Sequence, residues 1–240
     1  MTRSSPHHQP GRSGPPHPNH DALALEAQAV ALRRGGRHVL AGVTFRLSGG
    51  DALLLRGPNG CGKSSLLRAL AGFLPVAAGA LTLTMGAGAP MPMPTAEARQ
   101  HLLYSGSADG LKDSLSLADN SRFWAEGLGL TIPPPRLQAA AARLGIAALM
   151  AEQVRYFSTG QRRRAALMRF LLADRPVWLL DEPLNGLDGD GRQTLAAMVR
   201  DHRAAGGLAV IASHDPVPGV SNAMDLARFG PAPIPAESLS

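Results

Sequence analysis

The chain has 240 residues, which is enough for one large domain or for one domain with an inserted lobe. Its net charge of +6 admits anionic partners such as nucleotides, nucleic acid or a phospholipid surface, and its single cysteine, Cys61, excludes an internal disulfide. Prolines and glycines interrupt the uncharged stretch 69–96, which argues against a membrane-spanning helix, and the polar beginning argues against a secretory signal. We therefore expect a cytosolic protein.

Residues 1–20 hold five prolines and four histidines, a composition with too little apolar surface to fold. They predict a disordered tail, with capture of a metal or haem by the histidines as the alternative. These histidines are His7, His8, His17 and His20. Residues 231–240 predict a second tail, which leaves residues 21–230 as the folded domain.

The first predicted elements are strands. Alternating apolar residues predict strands at Ala29–Leu32 and Val43–Leu47, on either side of a turn at Gly35 and Gly36. A third, buried strand at Ala52–Leu55 leads directly to a glycine-rich loop.

The segment after this loop, Ser64–Leu74, has the spacing of an amphipathic helix that Pro75 ends. Its apolar side is expected to consist of Leu66, Leu67, Leu70 and Phe73. Further on, Leu81–Thr84 predicts a strand, and Gly86–Pro94 predicts a surface loop rich in glycine, proline and methionine.

Residues 115–156 change to helical patterns, including the alanine-rich run Leu137–Leu149, without a strand among them. They predict an inserted helical lobe at about residues 111–160. Alternation of strand and helix resumes with Val177–Leu180, Gly191–Ala205 and Leu208–Ala212, which indicates a parallel sheet and hence the α/β class.

The glycine-rich loop matches the phosphate-binding pattern G-x-x-x-x-G-K-[ST], and it joins a predicted strand to a predicted helix as that pattern requires. Its backbone N–H groups and the helix N-terminus suit phosphate, Lys63 suits the β- and γ-phosphate oxygens, and the Ser64 hydroxyl suits Mg²⁺. A glycine-rich turn without a ligand is the alternative. The predicted nucleotide-binding residues are Gly57, Pro58, Asn59, Gly60, Cys61, Gly62, Lys63, Ser64 and Ser65.

Two carboxylates and a histidine follow apolar strands, at the sheet edge where α/β proteins bind ligands. Asp181 is placed to hold Mg²⁺, directly or through water, and Glu182 to polarise the water that attacks the γ-phosphate. His214 is expected to donate to a γ-phosphate oxygen. Glu182, His214 and Lys63 are thus the candidate catalytic residues, and the alternatives are an acidic turn and a structural histidine.

The densest positive charge in the chain is Arg162–Arg164. We interpret these arginines as a solvated basic face and not as a nucleic-acid groove.

The segment Phe157–Arg164, 17 residues before the strand-end aspartate, resembles the signature sequence of ABC ATPases. The resemblance extends over about residues 24–220 and implies a P-loop NTPase core of the ABC ATPase type, with an inserted helical lobe and an antiparallel β subdomain. It also implies ATP hydrolysis with Mg²⁺ in a head-to-tail homodimer. In that dimer, the signature residues of one subunit close on ATP held by the other. These residues are Ser158, Thr159, Gly160 and Gln161, and Leu184–Asp188 resembles the D-loop along the same contact, with Asp188 at its end.

A narrower resemblance is to the ATP-binding subunits of bacterial haem exporters used in cytochrome c maturation. It rests on Arg34–Arg37, Leu103–Gly106 with Gly110–Lys112, and Leu115–Asn120 with Arg122–Trp124. It implies integral membrane permease subunits as partners, docking around Leu111–Trp124, and a peripheral position on the cytoplasmic face of the inner membrane. Haem is then the exported or handled ligand, and no direct contact with nucleic acid is expected.

Two departures from the family pattern stand out. Ala108 or Asp109 occupies the place of a glutamine that links the nucleotide site to the helical lobe, so a water-mediated or substituted Mg²⁺ contact is expected there. No aromatic residue lies near Arg34 to stack on adenine, although a guanidinium can stack on a base.

Three other functions remain open from the sequence. The basic charge permits a soluble ABC ATPase that acts on nucleic acid or ribosomes. A transporter subunit for another substrate is the second alternative. A nucleotide-binding regulator without turnover is the third, and Glu182 and His214 argue against it.

Overall fold

The structure, a computed structural model, describes residues 23–230. Both predicted tails, with the four N-terminal histidines, lie outside these residues. The strands are β1 Ala24–Arg34, β2 Arg37–Ser48, β3 Ala52–Arg56, β4 Ala78–Thr84, β5 Met91–Pro92, β6 Leu102–Ser105, β7 Val177–Asp181, β8 Leu208–Ala212 and β9 Ala223–Asp225. The helices are α1 Lys63–Leu70, α2 Ala96–Arg99, α3 Leu117–Gly127, α4 Pro134–Arg143, α5 Thr159–Leu172 and α6 Gly189–Ala204.

The strands form two sheets. One is antiparallel in the order β2-β1-β4-β5, and the other is parallel in the order β6-β7-β8-β3-β9. Every residue of β7 and of β8 is buried, as expected for central parallel strands that are covered on both faces and therefore have continuous apolar sequences. The predicted α/β class and parallel sheet are confirmed.

Alternate residues of the parallel strands belong to two hydrophobic clusters, one on each face of the sheet. Leu53 and Leu55 of β3 belong to the cluster that includes α1 and the antiparallel sheet. Leu54 belongs to the cluster that includes α4, α5 and α6. The sheet is thus held between the antiparallel β layer and the helices, which fixes the directions in which its strands end.

The helices between β6 and β7 lie on one side of this sheet. α3 and α4 both pack against α5, and 3₁₀ turns at Ala147–Leu149 and Val154–Tyr156 connect α4 to α5. No helix within residues 23–230 has the length and apolar character needed to cross a membrane.

The predicted apolar side of α1 is wrong at one position. Leu66, Leu67 and Leu70 are buried, but α1 ends at Leu70 and Phe73 is 69% exposed. Gly72 adopts φ 80°, a left-handed conformation that ends the helix, so Phe73 no longer follows the helical period. Its ring lies instead against that of Tyr104, with the centroids 5.6 Å apart.

The segment Gly86–Pro94 is also not a surface loop throughout. Met91 and Pro92 form β5, which pairs with β4, and Met93 is 7% exposed in the hydrophobic cluster below the antiparallel sheet. Strands β6 and β9 and helix α2 were not predicted, and β1 and β2 extend beyond the alternating patches that predicted them.

Candidate functional site

Three neighbouring strands of the parallel sheet end at the same level. Ala212 at the end of β8 pairs with Leu55 of β3 on one side and with Asp181 of β7 on the other. The three segments that come after these strands therefore leave the sheet side by side. They carry the phosphate-loop pattern, Glu182 and His214, which the structure brings together from three distant parts of the sequence.

The phosphate-loop pattern joins β3 to α1. Gly57 and Gly62 have φ 134° and 106°, which side chains rarely permit, and neither site has room for one. A Cβ on Gly57 would lie 2.6 Å from Cys61 Sγ, and a Cβ on Gly62 would lie 2.7 Å from Leu40 Cγ. The loop therefore needs glycine at both positions to wrap its N–H groups toward the start of α1.

Lys63, the first residue of α1, is only 6% exposed. Its ammonium group donates a 2.8 Å hydrogen bond to the carbonyl oxygen of Gly57. It also lies 3.1 Å from His214 Nε2 and 3.9 Å from Glu182 Oε1. A positive charge thus sits at the centre of the predicted catalytic residues, in a setting that favours an anionic ligand.

Ser64 lies next to Lys63 and faces the end of β7. Its hydroxyl donates a 2.9 Å hydrogen bond to Asp181 Oδ1, and Asp181 is 2% exposed. Tyr104 of β6, which sequence reasoning had not assigned to the site, lies close to Asp181. Burial raises the pKa of the Tyr104 phenol above its usual range, with a smaller opposing effect from Arg68 and a smaller additional rise from the charge of Asp181.

Glu182 and His214 face each other across the sheet edge. Glu182 Oε1 lies 3.4 Å from His214 Nε2, and the His214 backbone N–H donates to Glu182 Oε2 at 3.4 Å. His214 Nε2 is also 2.7 Å from Asn59 Oδ1 in the phosphate loop. Glu182 has φ 48°, a left-handed conformation that is strained for a residue with a side chain.

The signature-like segment begins α5. Ser158 and Gln161 form a reciprocal cap: the Gln161 N–H donates to Ser158 Oγ at 3.2 Å, and the Ser158 N–H donates to Gln161 Oε1 at 2.8 Å. Ser158 and Thr159 are exposed, and Gly160 is half-buried. Within residues 23–230, no hydrogen bond joins these four residues to the phosphate loop of the same chain.

The prediction that Arg162–Arg164 form a solvated basic face is wrong. Arg162 binds Asp109 at 2.7 Å and Asp113 at 2.6 Å, and Arg164 forms a salt bridge with Asp188. Arg163 is only 7% exposed. Each guanidinium has partners from a distant part of the chain, a relation that no local charge pattern reveals.

Asp188, at the end of the D-loop-like segment, caps α6 by accepting a 2.8 Å hydrogen bond from the Gly191 N–H. Its second partner is Arg164 of α5. The hydrogen bond from Arg164, with that from Gly191, lowers the pKa of the Asp188 carboxyl. The signature helix and the D-loop-like segment are therefore joined.

Within residues 23–230, neither residue at the expected glutamine position forms a hydrogen bond or salt bridge with Ser64 or Asp181, the predicted metal ligands. The Ala108 methyl is exposed, and the Asp109 side chain binds Arg162 and the backbone N–H of Leu111. Burial acts to raise the pKa of Asp109, but hydrogen bonds from Arg162 and the Leu111 N–H, together with the charges of Arg162 and Arg169, outweigh burial and lower it. Asp109 thus connects the helix α5 to the segment after β6.

Arg34, at the expected base-stacking position, is exposed and lines a cavity of about 390 Å³ beside the phosphate loop. Asn59, Lys63, Ser64 and Glu182 line the same cavity. Its walls thus combine the phosphate-loop residues with two guanidinium groups, of Arg34 and Arg68, and that of Arg34 lies at the position expected to stack on a base.

Comparison with known sequences identifies the class of protein to which this fold and this site belong. The chain belongs to the ABC transporter family, whose pattern matches residues 40–185. A solved ABC transporter ATP-binding protein of Pyrococcus furiosus has the same fold, with a TM-score of 0.75 at 19% identity over 87% of this chain and 100% of that one. The predicted ABC ATPase fold is confirmed.

Within this family, the chain is similar to two curated relatives over most of its length. It is 44% identical to the cytochrome c biogenesis ATP-binding export protein CcmA of Rhodopseudomonas palustris strain BisB5, over 80% of this chain and 92% of that protein. It is 40% identical to the CcmA protein of Paracoccus denitrificans strain Pd 1222, over 79% and 82% respectively. The narrower resemblance seen in the sequence is confirmed by these relatives.

Proposed function

We propose that this chain is the ATP-hydrolysing subunit of an exporter that moves or handles haem for the maturation of c-type cytochromes. The observation that supports it best is the convergence of Lys63, Ser64 with Asp181, Glu182 and His214 at one sheet edge. The names of the relatives supply the cytochrome c context.

In this proposal, the phosphate loop binds the triphosphate of ATP. The backbone N–H groups around Gly60 and Gly62 surround the phosphates, and the N-terminus of α1 adds its dipole. The Lys63 ammonium exchanges its bond to the Gly57 carbonyl for the β- and γ-phosphate oxygens. A compact ammonium on a flexible stem suits this exchange in a buried position better than a planar guanidinium would.

Ser64 and Asp181 fit a magnesium ion that accompanies ATP. The Ser64 hydroxyl and the Asp181 carboxylate lie 2.9 Å apart, close enough that both would hold one ion, Asp181 directly or through water. Both are hard oxygen ligands, as Mg²⁺ prefers. These residues would hold an ion that would supply positive charge against the charge developing on the β- and γ-phosphate oxygens.

Glu182 is proposed to polarise the attacking water and to accept its proton. Its carboxylate is within 3.9 Å of Lys63 and 3.4 Å of His214, so it lies at the γ-phosphate end of the site. His214 is proposed to exchange the contact of its Nε2 with Asn59 Oδ1 for a hydrogen bond that Nε2–H donates to a γ-phosphate oxygen when ATP binds.

Two copies of the chain are proposed to share two ATP molecules. The exposure of Ser158 and Thr159 at the start of α5, with Gly160 beside them, supports contact with ATP on a second copy. Asp188 is proposed to lie along the same contact, and its salt bridge with Arg164 joins it to the helix that begins with the signature segment.

Integral membrane permease subunits are proposed to dock around Leu111–Trp124, which places the chain at the cytoplasmic face of the inner membrane. Phe123 in this segment is 53% exposed, and the Lys112 ammonium lies 4.1 Å from the centre of its ring. An exposed aromatic ring beside a cation offers an apolar anchor with a polar margin. Nucleic acid is not part of the proposal, because the arginine cluster that would favour it has internal partners.

The variant Glu182→Gln tests the proposal directly. We expect ATP binding to persist while hydrolysis falls by a factor of about 100 or more, because an amide keeps the shape of the side chain but accepts no proton. The variant should accumulate as an ATP-bound dimer in size-exclusion chromatography. Glu97→Gln, the same change at an exposed position of α2, serves as the control and should retain wild-type activity. Wild-type hydrolysis by Glu182→Gln would remove this residue from its role.

A further inference from the structure

Arg163 is a buried cation that binds only main-chain oxygens. Its guanidinium donates to the carbonyl groups of three consecutive residues, Asp181 at 3.0 Å, Glu182 at 2.6 Å and Pro183 at 3.3 Å. A fourth bond, of 3.4 Å, reaches the carbonyl of Gly106. These are the only hydrogen bonds of this guanidinium among residues 23–230, and the side chain is otherwise enclosed.

This arrangement is energetically costly by itself. Burial lowers the pKa of Arg163, and the charges of Asp181, Asp109 and Glu182 only partly restore it. A guanidinium needs all its N–H groups satisfied when it leaves water, and the end of β7 with the turn after it supplies three of the four carbonyls that do so. The hydrogen bonds that stabilise the buried Arg163 guanidinium therefore come mainly from the carbonyl groups around Glu182.

The same turn holds the strained residue of the site. Glu182 has φ 48°, and such conformations persist only where the surroundings enforce them. The Glu182 N–H is fixed by a 2.8 Å bond to the Ala212 carbonyl, and its own carbonyl and both neighbouring carbonyls are fixed by Arg163. Arg163 is the one side chain in the described structure that restrains all three peptide groups.

We infer that Arg163 is the positioning residue that holds the Glu182 turn in its left-handed conformation and so aims the Glu182 carboxylate at Lys63 and His214. The inference rests on the proposed function of Glu182. Arg163 lies in the first turns of α5, two residues after Gln161. The Arg163 side chain therefore connects the signature segment, which is proposed to contact ATP on the partner subunit, with the turn that carries Glu182 in its own subunit. A shift of α5 moves Glu182 through this side chain.

The test compares Arg163→Gln and Arg163→Lys with the wild type. We expect both to bind ATP within about twofold of wild type, because the phosphate loop is untouched. The kcat should fall by a factor of about 100 in Arg163→Gln, since misplacing a reacting group by about 1 Å costs that much. It should fall less in Arg163→Lys, whose ammonium reaches some of the carbonyls but cannot span them.

Arg203→Gln is the matched control. Arg203 also donates to two carbonyls, of Gly50 and Gly219, each at 2.8 Å, but Gly50 precedes β3 at the end of the strand opposite to the phosphate loop. This variant should keep the wild-type kcat. Thermal unfolding of each variant shows whether it is folded, and if Arg163→Gln does not fold, Arg163→Lys decides the question.

A double variant separates positioning from general structural support. If Arg163 acts through Glu182, then Arg163→Gln combined with Glu182→Gln hydrolyses ATP no more slowly than Glu182→Gln alone. A further loss in the double variant, or a wild-type kcat in a folded Arg163 variant, overturns the inference and leaves the role of Glu182 intact. Wild-type hydrolysis by Glu182→Gln is a different result, because it removes the proposed function itself.

Discussion

At the scale of single residues, Cys61 shows how a position can be chemically sensitive without taking part in catalysis. It occupies a free position of the phosphate-loop pattern, is half-buried, and places its sulfur against Gly57. A bulky adduct on this sulfur crowds Gly57 and with it the loop backbone. The thiol is thus a reporter of the loop's conformation.

We expect maleimide to inhibit the ATPase, because an adduct that crowds Gly57 disturbs the phosphate loop, and we expect Mg-ATP to protect against it, because bound phosphates hold the loop in place. Cys61→Ala should retain activity and lose the sensitivity. The measurement is ATPase activity after labelling with and without Mg-ATP. Full activity at stoichiometric labelling, or inhibition that persists in Cys61→Ala, contradicts the placement of phosphate in this loop.

The same scale shows which site residues the sequence can predict. Five site residues were predictable because each belongs to a contiguous motif or lies at the end of an apolar strand: Lys63, Ser64, Asp181, Glu182 and His214. Parallel strands bring the residues at their carboxyl ends to one edge of the sheet. The geometry brings them together at that edge.

Other contacts had no local signal. Arg163 meets carbonyl groups 18 to 20 residues further along the chain and one 57 residues before it, so its function depends on packing that no short pattern encodes. The proximity of Tyr104 to Asp181 likewise results from the pairing of β6 with β7. Only the sheet order reveals either relation.

At the scale of elements, the strands that the sequence failed to predict are short and lie at sheet edges. β6 and β9 have four and three residues and each pairs on one side only, so neither needs the continuous apolar run that identified β7 and β8. Phe73 was misplaced for a different reason: the helical period was continued past Gly72, where the backbone leaves the helix.

The ion pair that links α5 to the segment after β6 also belongs to this scale, and we expect its contribution to the free energy of unfolding to be measurable. Asp109→Asn and Arg162→Gln should each lower the free energy of unfolding by about 1 kcal/mol, and the double variant by less than the sum, because both singles remove the same interaction. Chemical denaturation measures all three. Asp113→Asn is the control: this carboxylate binds the same arginine but is 66% exposed, and its loss should cost less.

The lowered pKa of Asp109 gives this interaction a pH dependence of known sign. The stabilisation is complete above the unfolded-state pKa of 3.8 and is lost as pH falls through the lower folded-state pKa. The stability difference between wild type and Asp109→Asn should therefore shrink below that pH. A difference that stays constant into this acid range shows that the ionised carboxylate is not what stabilises the contact.

At the scale of the whole molecule, the proposed cargo can be separated from the ATPase. Deleting the gene in the organism that makes this protein should remove holo-cytochromes c and spare b-type cytochromes, since only the former need haem delivered for covalent attachment. Haem-stained gels and difference spectra distinguish the two. Wild-type protein should restore c-type cytochromes and Glu182→Gln should not. Normal c-type content in the deletion strain contradicts the haem assignment and leaves the ATPase assignment standing.

The position of β3 in the parallel sheet also has a consequence for synthesis. β3 is complete at residue 56, but both strands that flank it, β8 and β9, come from residues 208–225. At about 5–20 residues per second, a ribosome needs on the order of 10 s to produce the intervening chain. During that interval the nascent chain carries Leu53, Leu54 and Leu55 with unpaired backbone groups on both sides, the kind of segment that chaperones cover and that associates with other strands. A chain that stalls before residue 208 can therefore contain a complete phosphate-loop sequence and still lack the sheet that shapes it.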